Sequence, residues 1–214
     1  MKVIDYFSGL GGASQAFVDR GHDVTRYDID PKFRNVPHTI ITDVREFIDT
    51  SLKGVDIVLV GFPCNCFSNL CNHITWPKGI PREETIEMIK FVRDIKEWLE
   101  RSEASFYVIE NPMGMMRRRE VLGKPDCQLT WSAYHNDPEQ PKKPTDLWGR
   151  LPPFERKLPF KWVPAPRGSN SGIQKTGLKP EDRALWPYGF SLSLCLAVEG
   201  KSPQTTLEYL QEGV

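Results

Sequence analysis

Over residues 1–110 the chain alternates two patterns. Short apolar runs of strand length recur at 3–7, 24–29, 39–44, 56–62 and 106–109. Segments with helical spacing separate several of them. Residues 13–20 read as a helix closed by Gly21. Residues 83–101 carry Ile86, Ile89, Val92, Ile95, Trp98 and Leu99 at the intervals of an amphipathic helix. The run 56–62 (DIVLVGF) predicts a strand buried on both faces. Strands alternating with helices predict an α/β fold with a mostly parallel, doubly wound sheet. Right-handed crossovers then bring the strand carboxyl ends to one rim, where open α/β sheets bind ligands.

The texture changes after residue 112. Residues 113–122 predict a short helix bearing Arg117, Arg118 and Arg119, more often a solvated face than a site. Residues 129–134 and 147–149 predict a hairpin pair. Residues 151–183 hold six prolines and three glycines without a period, which reads as an irregular insertion or small subdomain. Residues 184–199 and 203–210 predict closing helices. No apolar run reaches the roughly 18–20 residues of a membrane span. The amino-terminal stretch has no signal-peptide pattern, so the expected location is the cytoplasm, with no membrane partner.

Composition and charge refine this picture. Lys+Arg is 28 and Asp+Glu is 28, so net charge does not point to a bulk electrostatic grip on nucleic acid. The stretch 142–183 nevertheless holds ten basic and four acidic residues, which leaves a basic surface open on the second half. Of five cysteines, Cys64, Cys66 and Cys71 fall within eight residues. An odd number so clustered points to reduced thiols rather than a disulfide framework.

Polar features collect at the predicted strand ends. The turn Ser8-Gly9-Leu10-Gly11-Gly12 brings backbone amides to a ligand or is simply a tight turn, and it lacks the spacing of a nicotinamide site. Asp28, at the end of strand two, is a ribose-binding acid or a helix cap. Asp43 ends strand three. Cys64, just past strand four, is a nucleophile near thiolate-favouring amides or a buried thiol. With Cys66, Cys71 and His73 it also forms C-x-C-x4-C-x-H, a poorer zinc spacing than C-x2-C. Glu110, ending strand five, is a proton donor with a raised pKa, a cap or a solvated turn. Phe7 and Trp148 flank a planar ligand or belong to the core.

The order of these motifs resembles the cytosine-C5 DNA methyltransferases. Asp5-Tyr6-Phe7-Ser8-Gly9-Leu10-Gly11-Gly12 is similar to that family's D-x-F-x-G-x-G-G cofactor loop. Residues 61–68 (GFPCNCFS) resemble the P-C-Q-x-F-S nucleophile loop, with Asn65 in place of Gln. Glu110-Asn111 matches the E-N of the base-gripping loop, with Pro112 in place of Val. Tyr188-Gly189-Phe190-Ser191 resembles the closing G-N-S motif. The Q-x-R-x-R motif has no clean copy; Lys143 and Thr145 stand where its base-contacting residues belong. The similarity covers residues 1–149 and 184–200.

The resemblance implies a Rossmann-like, S-adenosylmethionine-dependent methyltransferase sheet. It divides the chain into a catalytic domain (1–149), a minimal target-recognition insertion (150–183) and carboxyl-terminal helices completing the catalytic domain (184–214). Compact phage-encoded members have a similarly short insertion. The implied cofactor contacts are Asp5, Phe7, Ser8, Gly9, Leu10, Gly11, Gly12, Asp28, Ile29, Asp43, Val44, Gly61, Pro63 and Ser191. Asp28 would meet the ribose and Asp43 the adenine amino group. The implied catalytic residues are Cys64, Glu110, Asn111, Lys143 and Thr145. Cys64 would add to C6 of cytosine while Glu110 protonates N3, on a base flipped from duplex DNA or presented single-stranded. The same chemistry on RNA or a free cytidine nucleotide is the first alternative. A catalytically silent DNA-binding homologue is the second.

Overall fold

The run without polar alternation becomes β4 (Ile57–Gly61), the middle strand of a seven-stranded sheet in the computed structural model. The structure describes residues 1–69, 71–135, 143–157 and 179–201. On one side of β4 lie β1 (Lys2–Tyr6), β2 (Asp23–Asp28) and β3 (Thr39–Ile41). On the other lie β5 (Phe106–Pro112), β7 (Pro144–Trp148) and β6 (Cys127–Thr130). The order is β3-β2-β1-β4-β5-β7-β6. The first five strands in that order are parallel; β7 runs antiparallel to both β5 and β6. Strand order reverses between β1 and β4, the switch point at which a doubly wound sheet opens a crevice.

The helices are α1 (Gln15–Asp19), α2 (Asn72–Thr75), α3 (Glu83–Arg101), α4 (Pro180–Ala184) and α5 (Tyr188–Val198). α3 is amphipathic, as its spacing predicts, and buries Ile89, Val92, Ile95, Trp98 and Leu99 in the core that contains Val58, Val60 and Ile109. Glu83 and Glu84 in its first turn oppose the positive end of the helix dipole. The opposite sheet face, with Ile57, Leu59 and Val108, packs with Phe17 of α1 and Phe190, Leu194 and Cys195 of α5. α5 is buried from Gly189 to Ala197, as a helix apolar all round must be. Among the described residues no helix is long and apolar enough to cross a membrane.

Several expectations need correction. The first helix forms only over Gln15–Asp19, with Ser14 at its amino cap and the Ser14 hydroxyl engaged by Asp5 and Arg26 rather than by the helix's own amides. β5 runs three residues beyond its apolar segment, since β7 pairs Glu110, Asn111 and Pro112 with Leu147, Asp146 and Thr145. Residues 113–122 make no α-helix. Gly114 bridges to Ser68, the Met115 amide donates to the Phe67 carbonyl at 2.7 Å, and only a 3-10 turn, Met115–Arg117, follows. Arg117 is no solvated triplet member: it makes a bidentate pair with the fully buried Asp146. The predicted closing helix 184–199 is broken at Leu185-Trp186-Pro187, where Pro187 sets the start of α5. The second predicted closing helix, 203–210, and most of the insertion lie outside the described residues.

Candidate active site

The carboxyl ends of β1, β2, β4 and β5 share one rim, as parallel pairing requires. The loop after β1 turns sharply. Gly11, at φ +79°, fills a position where a Cβ would collide with the Arg26 guanidinium. A Cβ on Gly12 would stand 2.9 Å from the Trp186 carbonyl. Phe7, with φ +59°, is a non-glycine residue in the left-handed region. Such strain persists only where surrounding packing enforces it. Here the Phe7 ring packs on Phe62 at 5.1 Å and Phe91 at 6.0 Å.

Beneath the loop lies a buried polar knot. Ser14 Oγ donates to Asp5 Oδ2 at 2.6 Å and accepts from Arg26 Nε at 2.8 Å. Arg26 also donates to the carbonyls of Gly11 and Pro37 and to Gln15 Oε1, each at 3.0 Å. Burial pushes Asp5 up to about 6 despite Ser14 and Arg26. Asp5 therefore braces the loop from below. Arg26→Met strips this knot and leaves Asp5 uncompensated, an expected loss of about 3 kcal/mol. At this chain length the melting temperature should fall by about 6–12 °C in a thermal melt, and an unchanged melt would remove the knot from the account.

The loop's upper side is the candidate cofactor cradle. Gly9 N donates to Asp28 Oδ2 at 2.8 Å, and Asp30 N donates to Asp28 Oδ1 at 2.9 Å. A carboxylate accepts about four hydrogen bonds, so Asp28 retains capacity for a hydroxyl. Ser8 Oγ is buried without a partner. Ile29 is 59% exposed and Leu10 37%, apolar surfaces flanking that carboxylate. Asp43 caps the 3-10 turn Val44–Phe47 through Arg45 N at 2.9 Å, and Arg45 pairs with its other oxygen. Val44 is buried. Ser191 is placed differently from its expected role. Its hydroxyl donates to the Ala13 carbonyl at 2.8 Å and accepts from Ala16 N at 3.1 Å, with no exposed surface. It clamps α5 to α1 behind the loop, so its hydroxyl is already committed to holding the cradle.

β4 exits through Gly61 and Pro63 into a 3-10 turn, Cys64–Cys66. The amides of Phe67 and Ser68 bond the Cys64 carbonyl at 3.0 and 2.8 Å. Asn111 Nδ2 donates to the Phe62 carbonyl at 3.0 Å, fastening this loop to β5. Gly61 is in register with Glu110, which puts the nucleophile loop beside that carboxyl. Glu110 is buried; Oε2 accepts from Trp186 Nε1 at 3.2 Å, while Oε1 has no partner. Burial pushes Glu110 up to about 7, against Lys143 and the Trp186 bond, with Asp146 adding to the rise. Burial also pushes the Cys64 thiol above its usual value. Lys143 pulls that thiol down, and Glu110 and Cys71 push it further up. The local backbone amide does favour the thiolate, as expected, but burial outweighs it. Lys143 lies at the head of β7, its ammonium 5.9 Å from the Trp131 ring, and its charge acts on both Cys64 and Glu110. Thr145 has no exposed surface, and its hydroxyl donates to the Lys143 carbonyl at 3.2 Å, so it supports Lys143.

Trp186 and Arg26 escaped the sequence reading. Arg26 shares the buried phase of β2 with Val24 and Asp28, a period-two signal for an inward charge. Trp186 gave no such signal. Trp148 is core, its indole bonded to the Gly123 carbonyl at 3.1 Å. The zinc spacing is not assembled. Among the described residues only His22, Cys195 and Glu199 gather three ligand atoms, within 4.8 Å. Glu199 there already pairs with Arg20, His22 and Lys201, a knot that ties the end of α5 to the end of α1.

The family model for C-5 cytosine-specific DNA methylase matches residues 1–122, more than half of the chain. Two curated proteins are similar over shorter stretches. Type II methyltransferase M.MspI of Moraxella sp is 40% identical over 78 residues, 32% of this chain and 18% of that protein. Flap endonuclease 1 of Drosophila mojavensis is 31% identical over 101 residues, 44% of this chain and 26% of that protein. The matched stretches thus span about a quarter or less of those relatives. Among solved structures, the Entamoeba histolytica methyltransferase EhMeth aligns with TM-score 0.44 and 15% identity, over 77% of this chain and 57% of that one. Dnmt2 methyltransferase of S. pombe aligns with TM-score 0.44 and 15% identity, over 76% and 51%. The family model spans the loop after β1, the Cys64 loop and Glu110-Asn111 together. The chain belongs to the C-5 cytosine-specific DNA methylase family.

Proposed function

We propose that this chain transfers a methyl group from S-adenosylmethionine to C5 of cytosine in DNA. The observation that carries the reading is the Gly61–Glu110 register. It sets the Cys64 loop beside a buried acid with a raised pKa, with Lys143 acting on both. Cytosine C5 is a poor nucleophile until a thiolate adds at C6. Cys64 forms that bond, and the Glu110 proton passes to N3 as electron density moves to C5. Lys143 favours the Cys64 thiolate over the thiol. S-adenosylmethionine supplies the electrophilic methyl group. Removal of the C5 proton afterwards expels Cys64.

Features around β1 and β2 fit that cofactor. Ser8 Oγ is an unpartnered buried hydroxyl, Asp28 has spare accepting capacity for ribose, and Ile29 offers an exposed apolar face. Gly9, Leu10, Gly11 and Gly12 supply the loop, Asp43 the acid toward adenine, and Phe7, Val44, Gly61 and Pro63 the surrounding walls. DNA as substrate is supported by the family and by the basic balance of residues 142–183. That segment, within the proposed recognition insertion 150–183 and just before it, holds Lys142, Lys143, Arg150, Arg156, Lys157, Lys161 and Arg167 for phosphate contact. The protein would then work where its DNA is, in a bacterial or phage-infected cytoplasm.

The test offers labelled S-adenosylmethionine with duplex DNA, single-stranded DNA, RNA and dCMP in parallel. Label in DNA at cytosine C5 is the expected result. Label confined to RNA or dCMP overturns the substrate and keeps the chemistry. No label anywhere overturns the activity and favours a silent DNA-binding homologue.

A further inference from the structure

The link between α4 and α5 sends one side chain across to the base-gripping acid. Trp186 is buried, and its indole packs with Trp131 at 5.7 Å and Phe190 at 5.6 Å. Its Nε1 lies 3.2 Å from Glu110 Oε2 and, on the other side, 3.6 Å from where a Cβ on Gly61 would stand. That separation is ordinary van der Waals contact, so the indole lies directly against the end of β4. The other carboxyl oxygen, Oε1, is buried and has no partner at all.

An indole nitrogen can donate a hydrogen bond and cannot accept one. Oε2 must therefore be an acceptor in this bond. When Glu110 carries a proton, a proton on Oε2 would compete with the indole N–H along the same line of approach. The proton then belongs on Oε1, the oxygen without a partner. A buried hydroxyl donor lacking an acceptor is costly, and N3 of a bound cytosine is the acceptor that satisfies it.

We propose that Trp186 is a positioning residue that fixes the acid proton of Glu110 on Oε1, facing the target base. The proposal rests on the functional reading above, in which Glu110 protonates N3. As the Cys64 sulfur bonds to C6, the Oε1–H bond breaks and its proton goes to N3. Glu110 is left as a carboxylate whose charge is held by the Trp186 N–H and by Lys143. A hydrogen bond to a charged acceptor is stronger than one to a neutral acceptor, so the Trp186 bond strengthens as the proton leaves. That is a gain realised during the reaction and not on binding. Trp186 also explains the break in the predicted closing helix. A continuous helix through 184–199 would give no link for the indole to leave from, and Pro187 enforces the interruption.

The groups acting on Glu110 come from three directions. Trp186 approaches from the α4–α5 link, Lys143 and Asp146 from β7, and Cys64 from the loop after β4. Removing the Trp186 donor removes a force that favours the ionised carboxylate, so Glu110 should hold its proton to higher pH.

The first test needs no activity. In the unliganded protein, the Trp186 indole N–H resonance should titrate with a midpoint near 7, where Glu110 ionises. In Glu110→Gln that titration should vanish. A resonance that ignores pH in the native protein, or one that titrates unchanged in Glu110→Gln, overturns the bond. The second test uses Trp186→Phe and, beside it, benzothienylalanine at position 186, which keeps the fused ring and lacks the N–H. Both should lower kcat by roughly ten- to a hundredfold. Both should also move the Glu110-linked limb of the kcat/KM profile to higher pH. A merely structural role would scale the whole profile without moving that limb, and that result overturns the proposal. If the native protein methylates nothing, the functional reading fails while the resonance titration still decides the Trp186–Glu110 bond.

Discussion

Cys64→Ala should lower methyl transfer to cytosine by at least about a thousandfold, with folding and cofactor binding intact. The chemistry demands the loss, because without a C6 adduct C5 is not nucleophilic enough to take a methyl group. The structure accounts for the intact fold. The turn is held by the Cys64 carbonyl, which accepts from Phe67 N and Ser68 N, and by Asn111 on the Phe62 carbonyl. None of these three bonds uses the Cys64 sulfur. A thermal melt and a cofactor titration run beside the transfer assay separate the two effects. Transfer within tenfold of native would remove Cys64 from the reaction.

Glu110→Gln should cost about a hundred- to ten-thousandfold in rate, the usual worth of a positioned general acid. The same substitution should make the protein more stable above neutrality. Burial raises the folded-state pKa to about 7, from 4.5. An acid whose folded pKa is raised binds more protons folded than unfolded, so its stability contribution declines as pH rises between those values. At pH 8 the native chain carries that penalty, which glutamine does not, a difference of about 3 kcal/mol. Below about pH 4 both side chains are neutral and the difference should disappear. Melts of the two proteins at both pH values check this. Equal melting temperatures at pH 8 would contradict a buried, penalised Glu110.

The two ionisations also shape the pH profile. Cys64 must be a thiolate and Glu110 an acid, yet burial raises the Cys64 thiol above its ordinary value and holds Glu110 near 7. The reactive pair is therefore the minor protonation state, and kcat/KM should rise to a plateau with its lower limb near 7. That limb belongs to Glu110 and the upper limb to Cys64, the reverse of the assignment given by their roles. Lys143 lowers both pKa values, so it favours the Cys64 thiolate and, equally in sign, the ionised form of Glu110.

Much of the rim was legible from local pattern. Strand-length apolar runs marked, to within a residue, where β1, β2 and β4 end and placed Glu110 just past the apolar part of β5, and these polar residues meet because parallel strands share a carboxyl rim. Thus Asp28, Cys64 and Glu110 could be placed from residue order alone. Partners brought in by tertiary packing could not. Ser191 looked like a ligand contact because its motif is local, yet its clamp on Ala13 and Ala16 depends on how α5 lies across α1. Thr145 looked like a base contact, yet β5–β7 pairing buries it completely. Arg117 read as surface because its partner, Asp146, is 29 residues away. Trp186 sits 76 residues from Glu110, and no sequence period links a residue in a helix break to a residue at a strand end. The last case is Arg26, whose period in β2 marked it as inward while nothing local named Asp5 and Ser14 as its partners.

The most direct measurement uses DNA in which 5-fluorocytosine replaces cytosine. Fluorine at C5 leaves no proton to remove after methyl transfer, so the enzyme cannot expel its nucleophile and the adduct persists. Mass spectrometry of the protein incubated with this DNA and S-adenosylmethionine should find a methylated 5-fluorocytosine joined to the peptide that carries Cys64. Cys64→Ala should give none. Methylation of ordinary cytosine without any such adduct, or an adduct on another residue, would contradict the account.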